Sequence, residues 1–203
     1  LFLEHSLLAY ETRNANDASE KRTFPLEDLG FIVLESLQLA VTTACLNALA
    51  KENIAVVVCD HAHMPSAMLQ PFSGNTLAQR HTEAQLRATE ALKARLWRQT
   101  VKAKITNQAE CLKRLGLPDR RLRVLAESVK AGDSDNAEAV AARYYFQQLA
   151  GPEAFSRCRD GIPPNPALNY GYAILRAAVA RALTGSGLLC VAGIHHSNQY
   201  NPF

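Results

Sequence analysis

The chain has 203 residues, of which 48% are apolar, and a formal net charge of +3, so it has the composition of an ordinary globular protein with one large domain or two small ones. It contains no run of about 20 apolar residues, which argues against a membrane-spanning helix. Its five cysteines are odd in number and form no CxxC pair. We therefore expect reduced, core-packed thiols in a cytoplasmic protein, not a disulfide framework or a zinc ribbon.

The charge is distributed unevenly along the chain. Residues 1–75 contain four Lys or Arg and nine Asp or Glu, whereas residues 76–203 contain eighteen Lys or Arg and ten Asp or Glu. An acidic front half joined to a basic back half predicts two domains with different partners. A basic helical region is typical of a protein that binds a phosphate backbone, although a solvated helix face explains the same charges equally well.

The front of the chain predicts a small β-rich domain over residues 1–73. The polar segment 13–21 is typical of a turn, and Thr42 with Thr43 predicts the cap of a helix over 43–51. Short apolar runs predict strands at 1–5, 6–11, 31–34, 54–59 and 67–69. The continuous β-branched run that ends at Cys59 is the clearest of these.

From Leu77 onward the apolar residues recur with the period of a helix. Residues 77–115 contain no Gly or Pro, which predicts one long helix that ends at Gly116. Its apolar stripe is predicted at Leu86, Leu92, Leu96, Val101 and Ile105. Further helices are predicted over 119–130, 137–149 and 166–184. We therefore expect an α+β protein in which a larger all-α domain over 74–203 follows the β-rich domain.

Two places in the basic half are candidates for chemistry. Glu138 stands in the first turn of a predicted helix, where the helix dipole favours any carboxylate, so a plain N-terminal glutamate competes with a functional role. The small residues after it allow another element to approach closely. His195 and His196 follow an apolar run, and neighbouring histidines in extended chain point in different directions, so either one could bind a metal. Simple surface exposure explains the histidines as well.

Polar residues also mark one face of the last predicted helix. Asn165, Asn169, Tyr172 and Arg176 follow the spacing i, i+4, i+7 and i+11. Such a stripe is either a structural polar seam or the wall of a substrate groove, to which Arg143 and His195 are added as candidates. The cluster from Cys59 to His63 resembles a set of zinc ligands, but it directly follows a core strand and is interpreted as a strand-to-turn connection.

Taken in order, segments along nearly the whole chain resemble the CRISPR-associated integrase, the endonuclease subunit of the spacer-acquisition machinery. The similarity is closest to systems with a single large effector nuclease (type II). The residues that carry it are Leu26–Gly30, Val57–Asp60, Pro71–Asn75, Leu96–Gln99, Lys102–Gln108, Asp135–Phe146, Asn165–Arg176 and Gly193–His196.

The resemblance implies an N-terminal β-domain for dimerisation and a helical domain that holds Mg²⁺ or Mn²⁺. The ligands implied are Glu138, His196 and a later acidic residue, with His195 as the alternative to His196. The acidic ligand would follow Phe203, so the helical domain is expected to be shortened at its C-terminal end and to hold two of three ligands. A histidine ligand favours Mn²⁺ in vitro, because Mg²⁺ prefers oxygen.

The reaction implied is transesterification, in which the 3′-hydroxyl ends of a captured DNA fragment are joined to the CRISPR repeat. The expected DNA-backbone contacts are Arg87, Lys93, Arg98 and Lys102. The expected partners are both DNAs, a second copy of the chain, a small ferredoxin-like adaptation subunit and the effector nuclease complex. Two alternatives stay open: a non-catalytic DNA-binding scaffold and a structure-selective DNA nuclease.

Overall fold

The computed structural model describes residues 1–13, 19–72, 74–150, 157–158, 161 and 163–195. Contacts between residues divide the chain into two compact units. The strand unit comprises Leu1–Gln85 and Ala167–Cys190, and the helical unit comprises Leu86–Pro166 and Val191–Phe203.

The first sheet of the strand unit has three antiparallel strands in the order β1 (Phe2–Glu4), β2 (Leu7–Arg13) and β3 (Ser19–Pro25). Sequence reasoning missed β3, because segment 13–21 was predicted as a turn. All seven side chains of β3 are exposed, so this strand has none of the apolar alternation by which a half-buried strand is recognised.

The second sheet has the order β4 (Phe31–Leu34), β5 (Ala55–Cys59) and β6 (Pro65–Leu69). The central strand β5 is parallel to β4 and antiparallel to β6. A parallel pair requires a crossover, which contains helix α1 (Thr43–Lys51). The predicted cap is confirmed, because the Thr42 hydroxyl accepts a hydrogen bond from the Cys45 backbone N–H at 3.3 Å. The core of this unit contains Leu8, Cys45, Leu49, Ile54 and Val56.

All described elements after β6 are helices, so the predicted α+β class is confirmed. The helices are α2 (Ala78–Leu86), α3 (Glu90–Arg114), α4 (Arg120–Ser128), α5 (Ala137–Ala150) and α6 (Asn165–Gly185). The prediction of one helix over 77–115 is wrong, because the chain breaks after Leu86 and starts again. Thr89 caps the new start by accepting the Leu92 N–H at 3.3 Å. Gly116, at φ 70°, ends α3 as predicted.

The core of the helical unit is built on one face of α3. Its buried members on that helix are Trp97, Val101, Ile105, Ala109 and Leu112. The predicted stripe is wrong in its first half, because Leu86, Leu92 and Leu96 are 63%, 38% and 37% exposed. Leu96 precedes Trp97 by one residue and therefore lies about 100° away around the helix. The buried face of α3 therefore passes through Trp97 and not through the leucines that precede it.

The cysteines and the hydropathy of the helices were two further subjects of prediction. All five cysteines are free; Cys45 and Cys59 are buried as expected, whereas Cys158 is exposed. Burial raises the pKa of both buried thiols. In the part of the chain that the structure describes, no helix is both long and apolar enough to cross a membrane.

Candidate functional site

The first N–H groups of α5 are capped by the carboxylate of Asp133 and not by that of Glu138. Gly132, Asp133 and Asn136 all have positive φ, at 71°, 53° and 53°, so the chain turns sharply before the helix. The two carboxylate oxygens of Asp133 accept the N–H groups of Ala137 and Glu138 at 2.8 and 3.0 Å. These are the first N–H groups of the helix, which otherwise have no partner. Since Asp133 caps the helix, the side chain of Glu138 is free of that task.

The Glu138 carboxylate is directed to α3 instead. Its Oε1 forms an ion pair with Lys104 Nζ, and the two side chains are 26% and 45% exposed. Among the described residues, Lys104 is the one side chain within ion-pair distance of this carboxylate. The arrangement places a carboxylate oxygen at the surface of the helical unit, within reach of solvent.

Helices α3 and α5 lie side by side and run in the same direction. Lys104 meets Glu138, and Cys111 accepts a hydrogen bond from the Tyr145 hydroxyl at 3.3 Å, so both pairs are separated by the same 34 positions. Ala141, one turn after Glu138, is fully buried. The small residues after Glu138 thus allow the close approach that the sequence suggested.

His195 belongs to the same face of α3. Its ring stacks on Trp97 with centroids 4.5 Å apart and planes within 9°. Trp97 and Lys104 are seven residues apart, which places them on one side of the helix about 10 Å apart along its axis. The structure therefore brings His195 and Glu138 to one face of α3, about two turns apart. His196, the predicted ligand, lies outside the described residues.

The fit of this place to a divalent metal rests on two observations. Glu138 supplies a carboxylate, which is the kind of ligand that Mg²⁺ and Mn²⁺ prefer. One turn beyond Lys104, the Oε1 atom of Gln108 is buried with no hydrogen-bond partner among the described residues, and such unsatisfied acceptors are typical of functional sites. No three His, Cys, Asp or Glu side chains of the described residues converge on one point. The residues present fit one part of a metal site.

The predicted polar stripe on α6 is divided between the two units. Asn165, in the helical unit, is 1% exposed, and its Oδ1 accepts bonds from Arg157 Nη1 and the Cys158 N–H, both at 3.1 Å. This amide therefore holds the neighbouring chain in place. Asn169, Tyr172 and Arg176 belong to the strand unit, where Tyr172 and Arg176 are exposed. Arg143 is exposed on α5. The groove stays a prediction.

Most of the predicted DNA-backbone cations have partners within the helical unit. Lys93 pairs with Glu90 at 3.0 Å, Lys102 pairs with Glu127 at 2.7 Å, and Arg98 Nε donates to the Val129 carbonyl at 2.7 Å. Arg87 is exposed directly after α2. Val129 follows the last residue of α4, so Arg98 satisfies a carbonyl at a helix end. The role of these four residues toward DNA stays a prediction.

Sequence reasoning missed a basic hollow between α4 and α5. Its volume is about 590 Å³, and its lining contains Arg120, Arg121, Val124, Leu125, Ser128, Val140 and Tyr144. The Arg121 guanidinium lies 5.1 Å from the centre of the Tyr144 ring. No carboxylate of the described residues pairs with either arginine. The adjacent Arg120 and Arg121 were the available signal, but only the fold shows that an apolar floor lies beside them.

The cluster from Cys59 to His63 has a structural explanation. Asp60 Oδ1 accepts the backbone N–H groups of Ala62 and Met64 at 2.8 and 3.0 Å. The hydrogen bond from Met64 is the main cause that holds the pKa of Asp60 below its usual value. His63 Nδ1 lies 3.3 Å from Glu35 Oε1. This segment is the connection between β5 and β6, as interpreted from the sequence.

Comparison with known proteins decides the family. A family model described as CRISPR associated protein Cas1 matches residues 5–203. The chain belongs to the Cas1 family. It is 41% identical over 186 residues to the CRISPR-associated endonuclease Cas1 of Neisseria meningitidis serogroup C (strain 8013), which covers 91% of this chain and 60% of that protein. The chain therefore spans less than two thirds of that relative's length, and the predicted resemblance is confirmed.

Solved structures show the same fold. A casposase bound to an integration product matches 96% of this chain and 61% of its own, with a TM-score of 0.72 and 18% identity. A Cas6-RT-Cas1–Cas2 complex matches 97% of this chain and 23% of its own, with a TM-score of 0.62 and 23% identity. At these identities the likeness concerns the fold.

Proposed function

We propose that this chain contains the metal-binding glutamate of a CRISPR-adaptation integrase, which joins the 3′-hydroxyl ends of a DNA fragment to a CRISPR repeat. In this reaction a bond forms between the 3′ oxygen and a phosphorus of the repeat, while the bond from that phosphorus to the repeat's own 3′ oxygen breaks. Membership of the Cas1 family supports the proposal, and so does the fold shared with a casposase bound to an integration product.

The observation that carries the proposal is that two neighbouring carboxylates have different contacts. Asp133 caps α5, whereas Glu138 pairs with Lys104 on α3. A glutamate in the first turn of a helix is usually explained by the helix itself. Here Asp133 already accepts the first N–H groups of α5, so capping does not account for Glu138. Its carboxylate points to the face of α3 on which His195 is stacked. The helix dipole still favours a carboxylate in the first turn, so it is the direction of the Glu138 side chain toward α3 that supports a functional role.

Glu138 and His196 would hold Mg²⁺ or Mn²⁺ in the working enzyme. When bound, the ion would supply activation of the attacking hydroxyl and stabilisation of charge on the attacked phosphate. The contribution of the chain is to fix the ligands. Asp133 sets where α5 begins, and therefore where Glu138 lies. Trp97 fixes the ring plane of His195, the residue that directly precedes His196 in the sequence.

DNA would be held by its phosphates. We assign the backbone contacts to Arg87, Lys93, Arg98 and Lys102, and add the hollow that contains Arg120 and Arg121, where no carboxylate of the described residues competes for the guanidinium groups. The residues retained as substrate-groove candidates are Arg143, Asn165 and His195 of the helical unit and, separately, Asn169, Tyr172 and Arg176 of the strand unit. Binding of this kind is weakened steeply by salt.

The proposed partners follow the family. The solved complex of Cas1 with Cas2 supports a small adaptation subunit as one partner. A second copy of the chain, bound through the β-rich domain over 1–73, and the effector nuclease complex are the others. The proposed compartment is the cytoplasm, in which the free thiols stay reduced.

The test replaces Glu138 in the full-length natural protein. Glu138→Ala should lower strand joining with Mn²⁺ by more than about 100-fold, because even the loss of a residue behind a metal ligand costs 10- to 100-fold. DNA affinity should change by less than about 2-fold, since phosphate contacts lie elsewhere. Asp135→Ala is the matched control, because Asp135 is a neighbouring carboxylate paired with Lys130 at 2.7 Å.

Three outcomes separate the candidate functions. Loss of joining with DNA binding retained supports the integrase. Joining at a normal rate in the Glu138→Ala protein would refute the assignment of Glu138. DNA binding without joining or cleavage in the unmutated protein would favour a non-catalytic DNA-binding scaffold. Cleavage of free DNA ends without joining to a repeat-bearing duplex, in the unmutated protein, would favour a structure-selective nuclease.

A further inference from the structure

Lys104 differs from the predicted DNA-backbone lysines of α3 in the identity of its partner. Lys93 and Lys102 pair with Glu90 and Glu127, two exposed carboxylates with no proposed function. Lys104 pairs with Glu138, the carboxylate proposed to bind metal. It also lies seven residues after Trp97 and therefore on the face of α3 that carries His195. Its ammonium is placed at the candidate centre itself.

We propose that Lys104 is a substrate-contacting residue, which holds Glu138 in the metal-free protein and turns to a DNA phosphate when a divalent cation is bound. This inference rests on the proposed function of Glu138. It adds a residue that was not among the predicted site or DNA-backbone residues, because its pairing across 34 positions cannot be read from local spacing.

Electrostatics favours this exchange. An ammonium and a divalent cation that share one carboxylate repel each other, and partial burial makes the repulsion stronger than in water. The Lys104 side chain is 45% exposed on a flexible four-carbon stem, so its charge can turn away from Glu138 at little cost. The anion that reaches the site with the substrate is the phosphate of DNA. An ammonium is a strong phosphate ligand, though without the fixed geometry of a guanidinium.

The same exchange explains why Glu138 keeps its position without metal. Asp133 fixes the backbone at the start of α5 but forms no bond with the Glu138 side chain. Without another contact, this long surface side chain would sample several rotamers. The ion pair holds that side chain over α3. Lys104 therefore has opposite effects on metal binding and on strand joining. It competes with the metal for Glu138, and it contacts a phosphate of the substrate DNA.

The experiment measures both events in the full-length natural protein. The variants are Lys104→Met, Lys104→Arg and the control Lys130→Met, which also removes one lysine from an ion pair near the start of α5. Mn²⁺ affinity without DNA is measured by electron paramagnetic resonance of the free ion, and strand joining is measured at saturating Mn²⁺. Circular dichroism and the melting temperature verify folding, and Lys104→Gln replaces the Met variant if that one does not fold.

The expected result is a change of opposite sign in the two measurements. Lys104→Met should tighten Mn²⁺ binding by about 2- to 5-fold, as for loss of a competing, partly exposed ion pair. It should slow joining by on the order of 100-fold, as for loss of one donor to a charged transition state. Lys104→Arg should recover part of the joining rate, and Lys130→Met should change either value by less than about 2-fold.

Other outcomes overturn the proposal. If Lys104→Met leaves both values unchanged, Lys104 neither competes with the metal for Glu138 nor assists the substrate. If Mn²⁺ binding and joining weaken together, Lys104 is only an anchor for Glu138. The proposed function is tested separately: Mn²⁺ binding that survives Glu138→Ala refutes the function, whereas its loss in that variant with unaltered behaviour of Lys104→Met refutes this inference alone.

Discussion

Two groups of acidic and histidine residues in this chain have similar composition and different surroundings. In the strand unit, Asp60, His61 and His63 occupy the short connection between β5 and β6. In the helical unit, Glu138 and His195 lie over one face of α3. The first group is held by bonds to its own backbone within four residues, because Asp60 accepts the N–H groups of Ala62 and Met64.

The second group is held by contacts between distant parts of the sequence. His195 stacks on Trp97, and Glu138 pairs with Lys104. The local task of capping is done by Asp133. The comparison shows that residue types alone do not mark a site. A carboxylate whose oxygens satisfy neighbouring N–H groups is a turn residue, whereas one whose neighbour performs that task is available for chemistry.

The largest effect on stability is expected from Trp97, on which His195 of the second group stacks. Trp97→Ala should lower the free energy of unfolding by about 3–5 kcal/mol, because it removes a buried indole from the core of the helical unit. It also removes the surface on which His195 stacks. Urea denaturation measures the change. Trp97→Phe retains an aromatic ring and should lose much less; equal losses in both variants would contradict a role for stacking and packing.

A smaller loss is expected from Asp133, which separates local capping from chemistry. Asp133→Ala should lower the free energy of unfolding by about 0.5–2 kcal/mol, the usual cost of losing a helix cap. Asp135→Ala is the matched control and should change it by less than about 0.5 kcal/mol, as for an ordinary surface position. Equal effects of the two variants would show that the bonds to Ala137 and Glu138 contribute nothing.

Much of the fold was predictable, because much of it depends on local signals. The cap at Thr42, the buried run of β5 and the end of α3 at Gly116 each follow from a few consecutive residues. β3 was missed, since an exposed strand is defined by its partner β2 and not by its own pattern. The break between α2 and α3 was missed because Thr89 caps a helix inside a run of strong helix formers.

The candidate site was predictable only in its outline. The resemblance implied Glu138 and a histidine, and the family is confirmed. Two residues determine the contacts of Glu138 and of the helix start that holds it. Lys104, 34 positions earlier, pairs with its carboxylate. Asp133 accepts two N–H groups at the start of α5, in a turn where its φ is positive. Such contacts arise from tertiary structure, because the spacing along α3 shows which residues share a face but not what lies opposite.

The smallest effect is expected from Asp60, whose contribution to the free energy of unfolding should depend on pH. Asp60 belongs to the first group, which is held by bonds to its own backbone. Its pKa in the folded protein is lowered from 3.8, chiefly by the Met64 N–H, so its stabilising contribution is complete above the unfolded value and is lost as the pH falls through the folded value. Asp60→Asn should therefore be less stable than the natural protein near about pH 6, and the difference should shrink toward about pH 3. Urea denaturation at both pH values tests this. A difference that stays constant with pH would show that the Asp60 charge does not hold the turn, and the two groups would then differ less than their hydrogen bonds indicate.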